Sequence, residues 1–214
     1  INPKYKSKEI EYQLNDSDIH HLIALADSYP LLQQLQPLTP LKSIILTDLN
    51  DEFSFHPPDN NQPTTPIDNL KHPPIATGDC WLTDLIDQVP AYAVPTITLT
   101  PGQNALFQYS GGTTGTPKAA MASHQNLVAN ALQMRYWLVN TFDGQETVLM
   151  AIPLFHVYGM VCGMLYAIRV GAAMVLISDP RNIPEILSNI ENYQATVFHG
   201  VPNLFNAINQ HPDV

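Results

Sequence analysis

Positive charge is scarce in this 214-residue chain: nine Lys and Arg stand against 19 Asp and Glu, for a formal net charge of −10. That balance excludes a protein that grips a nucleic-acid backbone, because such affinity comes from clustered Lys and Arg. Charge of either sign is thin, at 13% of residues against about 25% in an average globular chain. With 45% of residues hydrophobic, the chain is also not a disordered acidic tail, which combines high charge with low hydrophobicity. Cysteine is nearly absent. Cys80 and Cys162 lie far apart without metal-ligand spacing and read as small buried residues of a reduced, intracellular protein. Long apolar runs are missing as well: the longest, 157–168, closes at Arg169 and falls short of the roughly 20 residues a membrane span needs. No signal peptide is visible, and the chain opens Ile1-Asn2-Pro3 without a methionine, which reads as a piece of something longer.

What is present is organised by proline. Nine of the 19 prolines fall between Pro57 and Pro101, and 51–78 shows no sustained apolar period, so it reads as a surface excursion. Before it, 1–50 reads as a first βαβ portion: a helix capped by Ser7 and running to about Leu14, strands at 21–26 and 41–47, and helical 31–35 between them. After it, 79–214 reads as a second portion of the same domain. There, Asp79 is placed to cap a helix to about Val89, and 105–109 and 119–122 read as strands around a glycine-rich loop. Ser123 caps a helix carrying Leu127, Ala131, Met134 and Leu138 at helical spacing. Strands at 147–152, 172–177 and 196–199 alternate with a helix at 157–168, expected to be buried because it is apolar all round, and with helices begun by Pro184 and Pro202. Apolar strands alternating with helices predict an α/β fold: parallel-sheet βαβ layers with helices on both faces.

Glycine is rare, ten in all, yet three lie in one short stretch: Tyr109-Ser110-Gly111-Gly112-Thr113-Thr114-Gly115-Thr116-Pro117-Lys118. Glycine turns backbone N–H groups toward a ligand and admits a phosphate where a Cβ would obstruct it. Ser110, Thr113, Thr114 and Thr116 add hydroxyl donors, and Lys118 adds charge as the sole lysine after Lys71. A Walker loop needs Gly before Lys and Ser or Thr after it; here Pro117 and Ala119 flank Lys118. A dinucleotide fingerprint runs straight into a helix, whereas this loop leads to a strand. A flexible turn between two strands is the plainer alternative.

The stretch 109–118, followed by Ser123-His124-Gln125-Asn126-Leu127, resembles the phosphate-loop signature of the adenylate-forming superfamily, in particular AMP-forming long-chain fatty-acid–CoA ligases. Ile152-Pro153-Leu154-Phe155-His156-Val157-Tyr158-Gly159 is similar to the family's aromatic-histidine motif, and Phe198-His199-Gly200-Val201-Pro202 to the turn ahead of its acyl pocket. Asn2-Pro3-Lys4-Tyr5, with Glu9 and Leu14-Asn15-Asp16, resembles a segment after the family's first strand–helix units. Ala119 departs from the usual glycine.

The resemblance implies a fragment of the N-terminal domain, without its upstream strands, the rest of that domain or the C-terminal domain. It implies ATP and a fatty acid giving acyl-adenylate and pyrophosphate, then coenzyme A giving the thioester. It makes Lys118 and His156 the catalytic candidates. Ser110, Gly111, Gly112, Thr113, Thr114, Gly115 and Lys118 would bind the ATP phosphates, and His156, Tyr158, Gly159, His199 and Gly200 would line the acyl or coenzyme A pocket. The Mg²⁺-binding glutamate, ribose aspartate and adenylation lysine would fall outside the chain, leaving no metal ligand within it. Small-molecule partners, no nucleic acid, no transmembrane segment and a cytoplasmic location, with peripheral membrane contact compatible, complete the expectation; it implies no oligomeric state. His20, His21, His56, His72 and His211 show no metal-ligand spacing. Two other readings stand beside it: an adenylation domain or fatty-acyl–AMP ligase loading a carrier protein, and a non-catalytic α/β nucleotide-binding or interaction module.

Overall fold

The computed structural model describes residues 1–49, 51, 72–89, 95–110, 116–212 and 214, grouped in two compact units, Ile1–Ile97 and Thr98–Val214. In the first unit, β1 (His21–Leu25), β2 (Ser43–Thr47) and β3 (Cys80–Trp81) form a parallel sheet in that order. Strand β2 alternates strictly, burying Ile44 and Leu46. Helix α1 (Ser7–Asp16) buries Ile10, Gln13 and Leu14 at helical spacing, and α2 (Tyr29–Leu35) buries Leu32 and Leu35. Ile10, Leu14, Leu32 and Leu35 close the core with Leu41 and Trp81.

Two expectations are corrected in this unit. Ser7 opens α1 as its first helical residue, with Lys6 before it and no side-chain cap. Asp79 does not cap the next helix, α3 (Leu82–Gln88), because a strand intervenes. Its carboxylate instead accepts from the Ile44 N–H and the Tyr29 hydroxyl, both at 2.8 Å. That tie and the β2–β3 pairing place 80–88 with the first unit, whereas the sequence reading grouped 79–214 together. Most of the excursion expected at 51–78 lies outside the described residues.

In the second unit, β4 (Asn104–Ser110) and β5 (Lys118–Ser123) form an antiparallel hairpin, an addition to the all-parallel expectation. Helix α4 (His124–Trp137) starts on the expected Ser123 cap, whose Oγ accepts from the Asn126 N–H at 3.2 Å while Asn126 Oδ1 accepts from the Ser123 N–H at 3.0 Å. Then β6 (Thr147–Met150) sits between β7 (Ala173–Leu176) and β8 (Val197–His199) in a parallel sheet ordered β7-β6-β8.

Helices cover both faces of that sheet. Val148, Met150 and Val197 pack on Tyr166, Ala167 and Val170 of α5 (Tyr166–Val170), joined by Met134 and Leu138. Leu149, Ala151 and Val175 pack on Ile186 of α6 (Ile183–Asn192) and Leu204 of α7 (Pro202–Asn209). The stretch expected as one buried helix is a π-helix over Gly159–Leu165 leading into α5, and Val157 and Ile168 stand exposed. Side chains at 157–168 are uniformly apolar, so composition carries no record of which face meets solvent.

Candidate functional site

Successive strands of the β7-β6-β8 sheet leave the sheet at one end, and their carboxyl-terminal turns enclose a cavity of about 500 Å³. Ala151, Ile152, Pro153, Phe155, His156 and Tyr158 line it from the turn after β6. Pro180, Arg181 and Ile183 come from the turn after β7, and Val201, Asn203, Leu204 and Ala207 from the turn after β8 and from α7. Because β6 is central while β7 and β8 flank it, the chain reverses direction across the sheet here, the place where open α/β sheets take ligands. The walls are mostly aliphatic and aromatic, with His156, Arg181, Asn203 and the Tyr158 hydroxyl as the polar groups.

The β6 turn is locally braced. The His156 N–H donates to the Pro153 carbonyl and the Met160 N–H to the His156 carbonyl, each at 3.0 Å. The Tyr158 N–H donates to His156 Nδ1 at 3.2 Å, so in the neutral ring the proton sits on Nε2. Gly159 closes the brace: a Cβ there would lie 2.5 Å from the Pro153 carbonyl oxygen and 2.8 Å from that of Ile152. Only glycine allows the π-helix to start so close under the turn.

The hairpin carrying the glycine-rich loop reaches this turn through a residue that sequence reasoning missed. Gln108 Nε2 on β4 donates to the Phe155 carbonyl at 3.3 Å. Its signal was a single amide inside the apolar run Ala105-Leu106-Phe107-Gln108-Tyr109. Ser110 and Lys118 are register partners at the hairpin's end, and Ser110 Oγ donates to the Lys118 carbonyl at 3.4 Å. Lys118 is exposed. The expected phosphate ligands Gly111, Gly112, Thr113, Thr114 and Gly115 lie outside the described residues.

The remaining candidates separate. His156 and Tyr158 line the cavity, whereas Gly159, His199 and Gly200 are absent from its lining. His199 stands behind Tyr158: its ring meets those of Tyr158 and Tyr166 edge-on, with centroids 6.1 and 6.2 Å apart. Burial pushes its pKa down, and a hydrogen bond to the Cys162 backbone carbonyl opposes that in part. Its Nε2 is inaccessible and has no partner, which leaves Nδ1 as the donor to that carbonyl. Gly200 makes room for Phe205, whose ring would lie 2.6 Å from an added Cβ. Burial raises the Cys162 thiol pKa and, with Cys162 nearby, the Tyr158 phenol, so neither is an activated nucleophile. Arg181, also unforeseen, sits at the rim and holds Asp179 with two bonds of 2.8 and 3.0 Å. Among the described residues no group of three His, Cys, Asp or Glu is placed to hold a metal ion.

A profile described as "AMP-binding enzyme" matches residues 1–214. The chain is 33% identical to a long-chain-fatty-acid–CoA ligase of Bacillus subtilis and 31% identical to one of Escherichia coli O6:H1, covering 100% and 97% of this chain. It spans only 38% and 37% of those relatives. In three dimensions it matches the inhibitor-bound N-terminal domain of FACL13 from Mycobacterium tuberculosis with a TM-score of 0.74 at 18% identity, covering all of this chain and 45% of that one.

Proposed function

The chain belongs to the AMP-binding enzyme family, and from that membership and the site's geometry we propose that the full-length protein is a medium- or long-chain fatty-acid–CoA ligase. A fatty carboxylate attacks the α-phosphorus of ATP, giving acyl-adenylate and releasing pyrophosphate. The coenzyme A thiolate then displaces AMP from the acyl carbon to give the thioester. No protein nucleophile is needed; positioning and charge neutralisation drive the first step.

In this reading the loop 110–118 holds the β- and γ-phosphates, and Lys118 meets the charge that grows on departing pyrophosphate. His156 serves the acyl side. Its Nε2–H, set by the Tyr158 N–H on Nδ1, donates to the substrate carboxylate or to coenzyme A. The apolar cavity beside it suits an alkyl chain. Mg²⁺ would be held by the nucleotide and by groups outside this chain, and the enzyme is assigned to the cytoplasm.

The observation carrying the reading is the Gln108–Phe155 hydrogen bond, which joins the phosphate-loop hairpin to the His156 turn. The test is fatty-acid-dependent ATP–pyrophosphate exchange by the full-length protein, followed by thioester formation on adding coenzyme A. Exchange without thioester formation, with transfer to a carrier protein instead, would select the carrier-loading reading. No exchange with any carboxylate would select the non-catalytic one.

A further inference from the structure

A π-helix is rare, and one set within an α-helix lies frequently at a functional site. In the one at Gly159–Leu165 a single acceptor is skipped. The Tyr166 N–H, which in an α-helix would donate to the carbonyl four residues back on Cys162, donates instead to those of Val161 and Gly163. At the other end the Met160 N–H still reaches four back, to the His156 carbonyl, and α5 follows the segment directly. Nothing in Val161-Cys162-Gly163-Met164-Leu165 specifies the wider register, so its cause lies outside the segment.

The group found at the skipped acceptor is His199. Carried at the end of β8, its ring donates a hydrogen bond to the Cys162 carbonyl. A side chain inserted into the ladder of backbone bonds is a known cause of such a break. The ring's other nitrogen, Nε2, is inaccessible and unpartnered, which is unfavourable and which an apolar side chain would avoid. What the imidazole adds over an apolar group is therefore its Nδ1–H at Cys162. Tyr158 and the fully buried Tyr166 meet the ring edge-on and fix its plane. The segment is also coupled to the cavity: Tyr158 immediately precedes the π-helix, lines the cavity and gives its N–H to His156 Nδ1. Were the Cys162 carbonyl released to the Tyr166 N–H, the wide turn would lose its extra residue. The chain ahead of it would then swing by roughly 100°, the angle one residue subtends on a helix.

We propose that His199 is a positioning residue for this site: by occupying the Cys162 carbonyl it holds 159–165 in the π register, and so keeps Tyr158 on the cavity wall and the Tyr158 N–H on His156. The kinetic consequence rests on the reading of this cavity as the acyl side; the structural consequence does not.

The test uses the full-length protein with His199→Leu, which fills space without a donor, and His199→Asn, whose amide nitrogen can stand where Nδ1 stands. His199→Gln carries its amide one bond farther out and replaces the Leu variant if that one does not fold. Crystal structures should show the Tyr166 N–H on the Cys162 carbonyl and Tyr158 displaced in His199→Leu, with the wild-type arrangement restored in His199→Asn. With ATP, fatty acid and coenzyme A varied in turn, His199→Leu should raise KM for fatty acid by about tenfold or more at unchanged KM for ATP, and His199→Asn should recover most of that loss. A donorless variant that keeps the Tyr166–Val161 bond and the place of Tyr158 would overturn the proposal. So would a His199→Asn protein that behaves like His199→Leu, or equal rises in KM for ATP and fatty acid, which would make the ring a general prop of the fold. Wild type without fatty-acid-dependent exchange would instead overturn the acyl reading, and the crystallographic comparison would still decide what His199 holds.

Discussion

His156 and His199 are both imidazoles beside Tyr158, yet their surroundings assign them different work. His156 is exposed on the cavity wall with Nδ1 occupied by a backbone N–H, and in the proposed reading its Nε2 acts on the ligand. His156→Ala in the full-length enzyme should raise KM for fatty acid or slow thioester formation, while KM for ATP changes little. Varying ATP, fatty acid and coenzyme A in turn checks this, and a collapse of ATP affinity alone would move His156 to the nucleotide side. His199 is locked behind the wall, and burial holds its pKa below the ordinary 6.5. Between that lowered value and 6.5 the unfolded chain binds the extra proton, so stability rises with pH across this window. The contribution is complete above 6.5 and is lost as pH falls toward the folded value. His199→Gln should therefore lose less melting temperature than wild type on going from about pH 8 to pH 5. Parallel pH profiles for the two proteins would contradict the lowered pKa assigned to this half-buried histidine.

At the scale of elements, the π-helix Gly159–Leu165 carries two glycines four positions apart, Gly159 and Gly163, in different surroundings. A Cβ on Gly159 would run into backbone oxygens, whereas one on Gly163 would meet the Cε and Sδ of Met150, the movable end of a flexible side chain. Gly159→Ala should cost about 1–3 kcal/mol as an overpacking change, and Gly163→Ala clearly less, by denaturant unfolding of the full-length protein. Equal costs would mean that the turn over 152–159 can give way as easily as Met150.

Elements with local signals were legible in the sequence: Ser123 as a cap, Pro184 and Pro202 in first helical turns, and the short apolar run at 41–47 as a strand. Illegible were features set by partners distant in the chain. Asp79 reads as a helix cap because its reach to Tyr29 and Ile44 crosses 50 and 35 positions. Gln108 bonds across 47 positions, so nothing adjacent to it announces the link. The cavity was foreseeable only as a place, the ends of parallel strands. Its wall residues Arg181 and Asn203 carry no motif of their own.

For the whole molecule, the two units are a portion of an AMP-binding family protein: the chain matches the family throughout while spanning 38% of its Bacillus subtilis relative. The groups assigned here to the nucleotide and acyl sides come from separate elements, a hairpin and the turn after β6, joined by the Gln108–Phe155 contact. On this account the 214 residues alone should give no fatty-acid-dependent ATP–pyrophosphate exchange above background, and exchange by them would show that this portion is sufficient. The most direct test of the central claim compares the two half-reactions in full-length wild type and Lys118→Ala. Loss of one electrostatic stabiliser of a developing charge should slow adenylation by about 10²–10³. Thioester formation from supplied acyl-adenylate should be nearly unchanged, because no pyrophosphate leaves in that step. Equal loss in both half-reactions, or full adenylation by Lys118→Ala, would contradict the assignment of this loop to the phosphates.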